Sequence, residues 1–337
     1  MAEKQMGSAT FVLSTTPTIL GWGNIGGKKE GEGPLGALFD HISNDSYFGE
    51  TTWEKAESSM QRQALSVALD KAGQPASNLC ALFGGDLMNQ CIATSYAARS
   101  LNVPLFGVYG ACSTMAESLA LAAMTLDGGF GDFSAAVASS HFCTAERQYR
   151  TPLEYGGQRT PTAQWTATAA GAVVLAKDGP GPYVTHVTAG KVVDRGIKDA
   201  NNMGAAMAPA AYDTISTHLS DTGRSPDFYD LIVTGDLGDL GARLLRELFA
   251  RDNVELPRYN DCGLMLYDRK RQDVHCGGSG CGCSASVLTA LLLNSVQRGE
   301  LHHLLFCATG ALHSPTALGQ GESIPGICHA VAISDTP

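Results

Sequence analysis

No stretch of this chain approaches the roughly 18 consecutive apolar residues that a membrane-spanning helix needs. Its N-terminal segment, MAEKQMGSATFVLSTTPTILGWG, lacks the apolar core and small-residue cleavage pattern of a secretory leader. A soluble or peripherally attached protein is the expectation. Charge is scarce too: 17% of the 337 residues are Asp, Glu, Lys or Arg, with a net charge of −10 and no basic cluster, so nothing in the sequence offers a nucleic-acid surface. The ten cysteines (80, 91, 112, 143, 262, 276, 281, 283, 307 and 328) lie mostly in apolar contexts, without the regular spacing of a disulfide framework. Reduced thiols of an intracellular protein are therefore expected. Paired CxxC spacing is missing from HCGGSGCGC, so His275, Cys276, Cys281 and Cys283 do not form a zinc motif. The same glycines fall outside the strand-to-helix fingerprint for dinucleotides. Neither a cofactor nor a metal is expected.

What is present is a chain that is 44% hydrophobic with 39 glycines, the composition of a well-buried α/β protein with many tight turns. The chain also resembles itself. LCALFGGDL (from Leu79) matches YDLIVTGDL (from Tyr229), each an apolar strand-like run ending in Gly-Asp-Leu before a helical pattern. Both are preceded by helices closing on a glycine, Gly73 and Gly223. The matching Asp86 and Asp236 are expected to cap the helices that follow. Further on, GACSTMAESLALAAMTLDGG pairs with CGCSASVLTALLLNSVQRGE, setting Cys112-Ser113 over Cys283-Ser284. Strand runs then follow in each half, from Phe133 and Leu304, and each half closes in a strand, GAVVLAK and GICHAVAIS. The shared order of helix, strand, helix, strand, helix, strand, strand predicts a duplication, with halves at residues 1–180 and 181–337 intertwined in one unit.

The repeated helices, Ser113 to Leu126 and Ser284 to Val296, are nearly uncharged all round, so they are expected to be buried on every side. In an α/β protein that requires a sheet on each face of the pair, giving five layers, αβαβα. Cys112 opens the first of these helices, where free amides and the helix dipole favour anions and thiolates; the alternative is a small packed core residue. The segment from Ala145 to Thr168 breaks the regular pattern and reads as a functional or packing excursion.

A duplicated α/β chain with a cysteine opening a buried central helix resembles the thiolase superfamily. The resemblance implies a thiolase-like five-layer αβαβα fold and a homodimer. In condensing members the cysteine attacks an acyl thioester, assisted by a histidine and an asparagine or second histidine from the other half. This sequence departs from that pattern. Gly235 and Asp236 stand where the first histidine is expected, and Ser279, Gly280 and Cys281 stand near the second partner. A carboxylate beside a thiol raises its pKa rather than activating it.

The strings GVYGACSTMAESLALA, ASSHFCTAERQYRTPLEYGGQRTPTAQWT, YNDCGLMLYD and GGSGCGCSA more specifically resemble the stage V AD family of spore-forming bacteria. That resemblance implies a non-enzymatic protein that binds dipicolinic acid (pyridine-2,6-dicarboxylate) for uptake, as its calcium chelate, into the developing spore. It also implies a peripheral position on the spore's inner membrane beside other stage V sporulation membrane proteins. An acyl-transferring enzyme with Cys112 as nucleophile is the alternative. The residues expected at the ligand are Cys112 and Ser113 at the helix start, Ser140 and His141 at a strand's C-terminal end, Asp236, Ser279, Cys281, and Arg147 for carboxylate recognition, with Arg150 and Arg159 as further candidates. For His141 a bond to local backbone, and for the arginines ordinary ion pairs, are the alternatives.

Overall fold

The computed structural model describes residues 3–149 and 159–337. Ten principal strands form one continuous sheet whose two halves repeat each other. The first half holds β1 (Thr18–Gly27), β2 (Ala81–Gly85), β3 (Leu105–Gly107), β4 (Phe133–Ser140) and β5 (Ala169–Ala176). The second holds β6 (Tyr183–Thr188), β7 (Leu231–Thr234), β8 (Tyr259–Asp261), β9 (His303–Ala311) and β10 (Gly326–Ser334). The order runs β3-β2-β4-β5-β1 and then, across a single register pair between Thr18 and Tyr183, β6-β10-β9-β7-β8. Strand directions repeat as well: β2 is parallel to β3 and β4, as β7 is to β8 and β9, while β4-β5-β1 and β9-β10-β6 are antiparallel.

The helices fall where the sequence places them. In the first half, α1 (Trp53–Ala72) is capped by the Thr52 hydroxyl and stopped by the left-handed Gly73, and α2 (Ile92–Arg99) and α3 (Thr114–Asp127) follow, with α4 (Phe142–Tyr149) after β4. In the second half, α5 (Met203–Thr222) is capped by Asn202 and stopped by Gly223, α6 spans Gly238–Arg251, and α7 (Cys281–Val287) runs through a π turn at Leu288–Leu292 into α8 (Leu293–Gln297). The second central helix thus opens at Cys281, ahead of the expected Ser284. Helix α3 packs against β2 and β4 of its own half and β9 and β10 of the other, and α7 against β4, β5 and β1. Helices α1 and α5 cover the outer faces. The expected five layers are present.

Each half also opens on a strand that the repeat analysis misses. In β1, TILGWGNIGG, glycines stand where α1 lies directly on the strand: a Cβ on Gly21 or Gly23 would meet the carbonyl oxygens of Ala68 or Ala64 at 2.4 and 2.3 Å. The close helix packing removes the apolar alternation by which a strand is recognised. The excursion after β4 is partly regular. Its start forms α4, and Trp165–Thr166 pairs in parallel with Gly278–Ser279, joining the two halves beside the central helices.

Candidate functional site

The strands β4 and β9 deliver their C-terminal ends, and α3 and α7 their N-terminal ends, to one region. There a cavity of about 60 Å³ is lined by residues of both halves, among them Tyr109, Cys112, Glu146, Tyr149, Ser279 and His313. Thr166, Met203, Met207 and Ala311 complete much of its wall. Ala111, immediately before Cys112, is held at φ 51°, a left-handed conformation that costs a non-glycine residue about 1 kcal/mol. The strain sits on the turn that presents Cys112.

The Cys112 thiol lies beside the Asp236 carboxylate, with the Ser279 hydroxyl and Gly280 amide also near its sulfur. Asp236 is fully buried and densely bonded: its Oδ2 accepts from the Gly280 amide at 2.9 Å and the Ser279 hydroxyl at 3.2 Å, and its Oδ1 from the Thr309 hydroxyl at 2.9 Å. Burial, with a contribution from the Asp261 charge, pushes Asp236 up to about 7 against these opposing hydrogen bonds. Burial and the neighbouring Asp236 hold the Cys112 thiol well above its usual range. The thiol is protonated at neutral pH. No histidine stands where Asp236 does.

The expected helix cap by Asp236 is therefore corrected. Asp86 does cap: its carboxylate accepts from the Met88 and Thr94 amides, both at 2.9 Å. In the second half Asp261 takes that task, accepting from the Leu237 amide at 2.8 Å and the Gly238 amide at 3.0 Å. Asp236 is released to face Cys112. The two halves diverge at this position.

Of the other expected residues, Ser279 lines the cavity, and Cys281 lies one layer deeper, donating to the Ser139 carbonyl at 2.8 Å. Ser113, Ser140 and His141 are buried and bonded to neighbouring backbone. Ser113 donates to the Gly110 carbonyl at 2.7 Å and Ser140 to that of Ala167 at 2.7 Å. His141 Nδ1 accepts from the Cys143 amide at 3.2 Å, so its Nε2–H donates to the Ser46 carbonyl at 2.8 Å, and burial lowers its pKa. Arg147 pairs with Glu54 away from the cavity wall, and its guanidinium lies 5.6 Å over the Trp53 ring. Arg159 stacks 4.6 Å over Trp165 and donates to the Asp273 carbonyl at 2.8 Å. Arg150 lies outside the described residues. Among the described residues no lysine or arginine lines the cavity, so neither Arg147 nor Arg159 serves the carboxylate recognition expected of them.

Sequence reasoning missed Tyr109, Glu146, Tyr149, Met203, Met207 and His313. Only the last had a usable signal: His313 follows β9 as His141 follows β4. Tyr109 and Tyr149 share a hydrogen bond of 2.6 Å, and the Tyr149 hydroxyl donates to the Leu87 carbonyl at 2.6 Å. Both tyrosines and His313 also line an outer cavity with Gln90 and Pro315. The tyrosine pair stands between the inner site and this vestibule.

This combination of a duplicated sheet, paired central helices and a cysteine at the opening of the first defines the thiolase-like fold. OleA of Xanthomonas campestris (a variant structure) aligns with a TM-score of 0.62 at 14% identity, covering 99% of both chains. The 3-oxoacyl-[acyl-carrier-protein] synthase III of Aquifex aeolicus aligns with a TM-score of 0.58 at 14% identity, over 94% of this chain and 99% of its own. The sequence profile of stage V sporulation protein AD matches residues 7–334. A Bacillus subtilis stage V sporulation protein AD is 42% identical over 329 residues, 97% of each chain. The chain belongs to the stage V sporulation protein AD family, and is a sporulation protein on a fold shared with condensing enzymes.

Proposed function

We propose that this protein binds dipicolinic acid, without turning it over, in the cavity at Cys112, and that it serves uptake of the calcium chelate into the developing spore. The observation that carries the reading is the placement of the buried Asp236 carboxylate beside the Cys112 thiol. A condensing cysteine needs a basic partner to become a thiolate and a donor to hold the oxyanion. Here burial, and then the Asp236 carboxylate, keep the thiol protonated. The cavity retains hydroxyls at Thr166 and Ser279 and rings at Tyr109 and Tyr149 for a small planar ligand.

The calcium form suits the wall better than the free dianion. Asp236 lies behind the wall and no lysine or arginine lines it among the described residues, so a bare dicarboxylate would meet no side-chain cation there. Calcium cancels the ligand's charge. The protein works on this reading as a peripheral component of the spore's inner membrane, as a homodimer, with other stage V sporulation membrane proteins passing ligand onward. No helix among the described residues is long and apolar enough to cross a membrane. Calorimetry with dipicolinate, with and without calcium, tests the binding; intact mass after incubation with acyl thioesters tests for turnover, since an adduct absent in Cys112→Ala establishes an enzyme instead.

A further inference from the structure

A second cavity, of about 350 Å³, lies at the other end of the sheet. Its wall includes His303, the first residue of β9, and Ser334, the last of the antiparallel β10, which pair in register. Ala311, at the far end of β9, lines the Cys112 cavity. The eight steps of strand between them span about 26 Å, so the two cavities are separate.

The second cavity is built around Arg224. Its guanidinium lies 4.3 Å over the Phe228 ring, and Phe228 in turn stacks on His303 with centroids 4.3 Å apart. Arg224 Nη1 donates to the Tyr229 hydroxyl at 3.0 Å. Tyr229 is buried and donates onward to His218 Nε2, leaving His218 Nδ1–H to donate to the Thr188 hydroxyl at 2.7 Å; Thr188 meets Thr10 at 2.9 Å. This buried relay fixes the arginine. The nearby carboxylates are committed elsewhere: Asp221 to the amides of Ser8, Ala9 and Thr10, Asp230 to the amides of His302 and His303 and to Arg258, and Asp335 to His302. None of them lines the cavity. No Asp or Glu side chain lines the cavity, whose wall also takes in Thr336 and Pro337, and Arg224 brings a positive charge with guanidinium donors beyond the one used by Tyr229.

The remaining polar groups come from separate elements: Ser14 from the N-terminal segment, His186 from β6, His303 from β9 and Ser334 from β10. A planar carboxylate is satisfied by a fork in one plane, whereas donors converging from several directions suit a tetrahedral anion. The geometry points to a second binding site, for a tetrahedral oxyanion of the phosphate class, held by Arg224 with His186, His303, Ser14 and Ser334 around it. Burial and the Arg224 charge push His186 down to about 4, and burial with His186 and Arg224 pushes His218 down to about 3. An anion seated between Arg224 and His186 reverses that repulsion and raises His186, the groups facing it being Arg224, His218 and His303.

Calorimetric titration of the full chain with inorganic phosphate tests the site, with a parallel arm of phosphatidic acid in phosphatidylcholine vesicles. The expected result is saturable binding in one arm, weakened about tenfold or more in Arg224→Gln and unchanged in Cys112→Ala. Binding in the first arm assigns a soluble phosphate, and in the second alone a lipid headgroup. Histidine resonances followed by NMR should show the His186 midpoint rise when ligand is present. Thermal melts establish that Arg224→Gln is folded, and His186→Gln, which leaves the arginine relay in place, serves as the second variant. Absence of saturable binding in both arms, or wild-type affinity in both variants, overturns the proposal.

Discussion

The Asp236 carboxylate of the second half stands beside the Cys112 thiol of the first; burial raises both pKa values, Asp236 up to about 7 and the thiol well above its usual range. The pair occupies the position from which a condensing enzyme would launch a thiolate. Its consequences for reactivity can be read directly.

Cys112 should alkylate slowly with iodoacetamide at pH 8 compared with an exposed thiol, because the neighbouring carboxylate opposes thiolate formation. Asp236→Asn removes that charge and keeps a polar group of the same size. The variant should react roughly tenfold faster at Cys112, as measured by peptide mass spectrometry, which separates Cys112 from the other cysteines.

The duplicated architecture was legible in the sequence, and the location of the site in part. Gly-Asp-Leu after matching strands and uncharged helices after matching loops carry the symmetry, because burial on both faces removes charge from a helix whatever its function. Cys112 was found because it opens a buried, repeated helix, and Asp236 and Ser279 because they stand where the thiolase resemblance expects a histidine and a second partner. Tyr109, Tyr149 and Met207 were not, because an aromatic or methionine on a cavity wall has the same local pattern as one in the core. Arg147 misled for a related reason: position in sequence brings it near the site, but one turn of α4 directs it to Glu54.

Glu57 gives the fold a specific pH dependence. It is buried, accepts from Ser139 at 2.8 Å and Thr144 at 2.9 Å, and is raised from 4.5 to about 8 by burial and then by the Asp86 charge. The native state therefore holds this proton more tightly than the unfolded chain. Its contribution is fully favourable below pH 4.5 and is lost as pH rises towards 8. Glu57→Gln should gain in melting temperature relative to wild type as pH is raised from 5 to 8, measured by calorimetry at each pH; a difference that shrinks with rising pH contradicts the assignment.

Gly310 joins β9 to the Cys112 turn. A Cβ there would lie 2.2 Å from the Gly110 carbonyl oxygen and 3.3 Å from the Cys112 amide. Gly310→Ala should destabilise by roughly 2–3 kcal/mol through overpacking, read from urea unfolding, and should displace Cys112 enough to weaken dipicolinate binding. Gly319→Ala, where nothing lies within 4 Å of the added carbon, should change stability by less than about 0.5 kcal/mol.

Tyr149→Phe removes both the bond to Leu87 and the acceptor for Tyr109. With the pair between cavity and vestibule released, ligand should enter and leave faster, with rate constants rising more than the equilibrium affinity changes. Stopped-flow fluorescence reads both rates. Unaltered rates show that the tyrosines do not control entry.

The most direct test of the central claim is calorimetric titration of the full chain with dipicolinate, repeated in the presence of calcium. The account predicts saturable one-to-one binding, tighter with calcium, and abolished by Cys112→Trp, which fills the cavity while the melting transition is retained. Absence of saturable heat in wild type under either condition, or undiminished binding in folded Cys112→Trp, contradicts it.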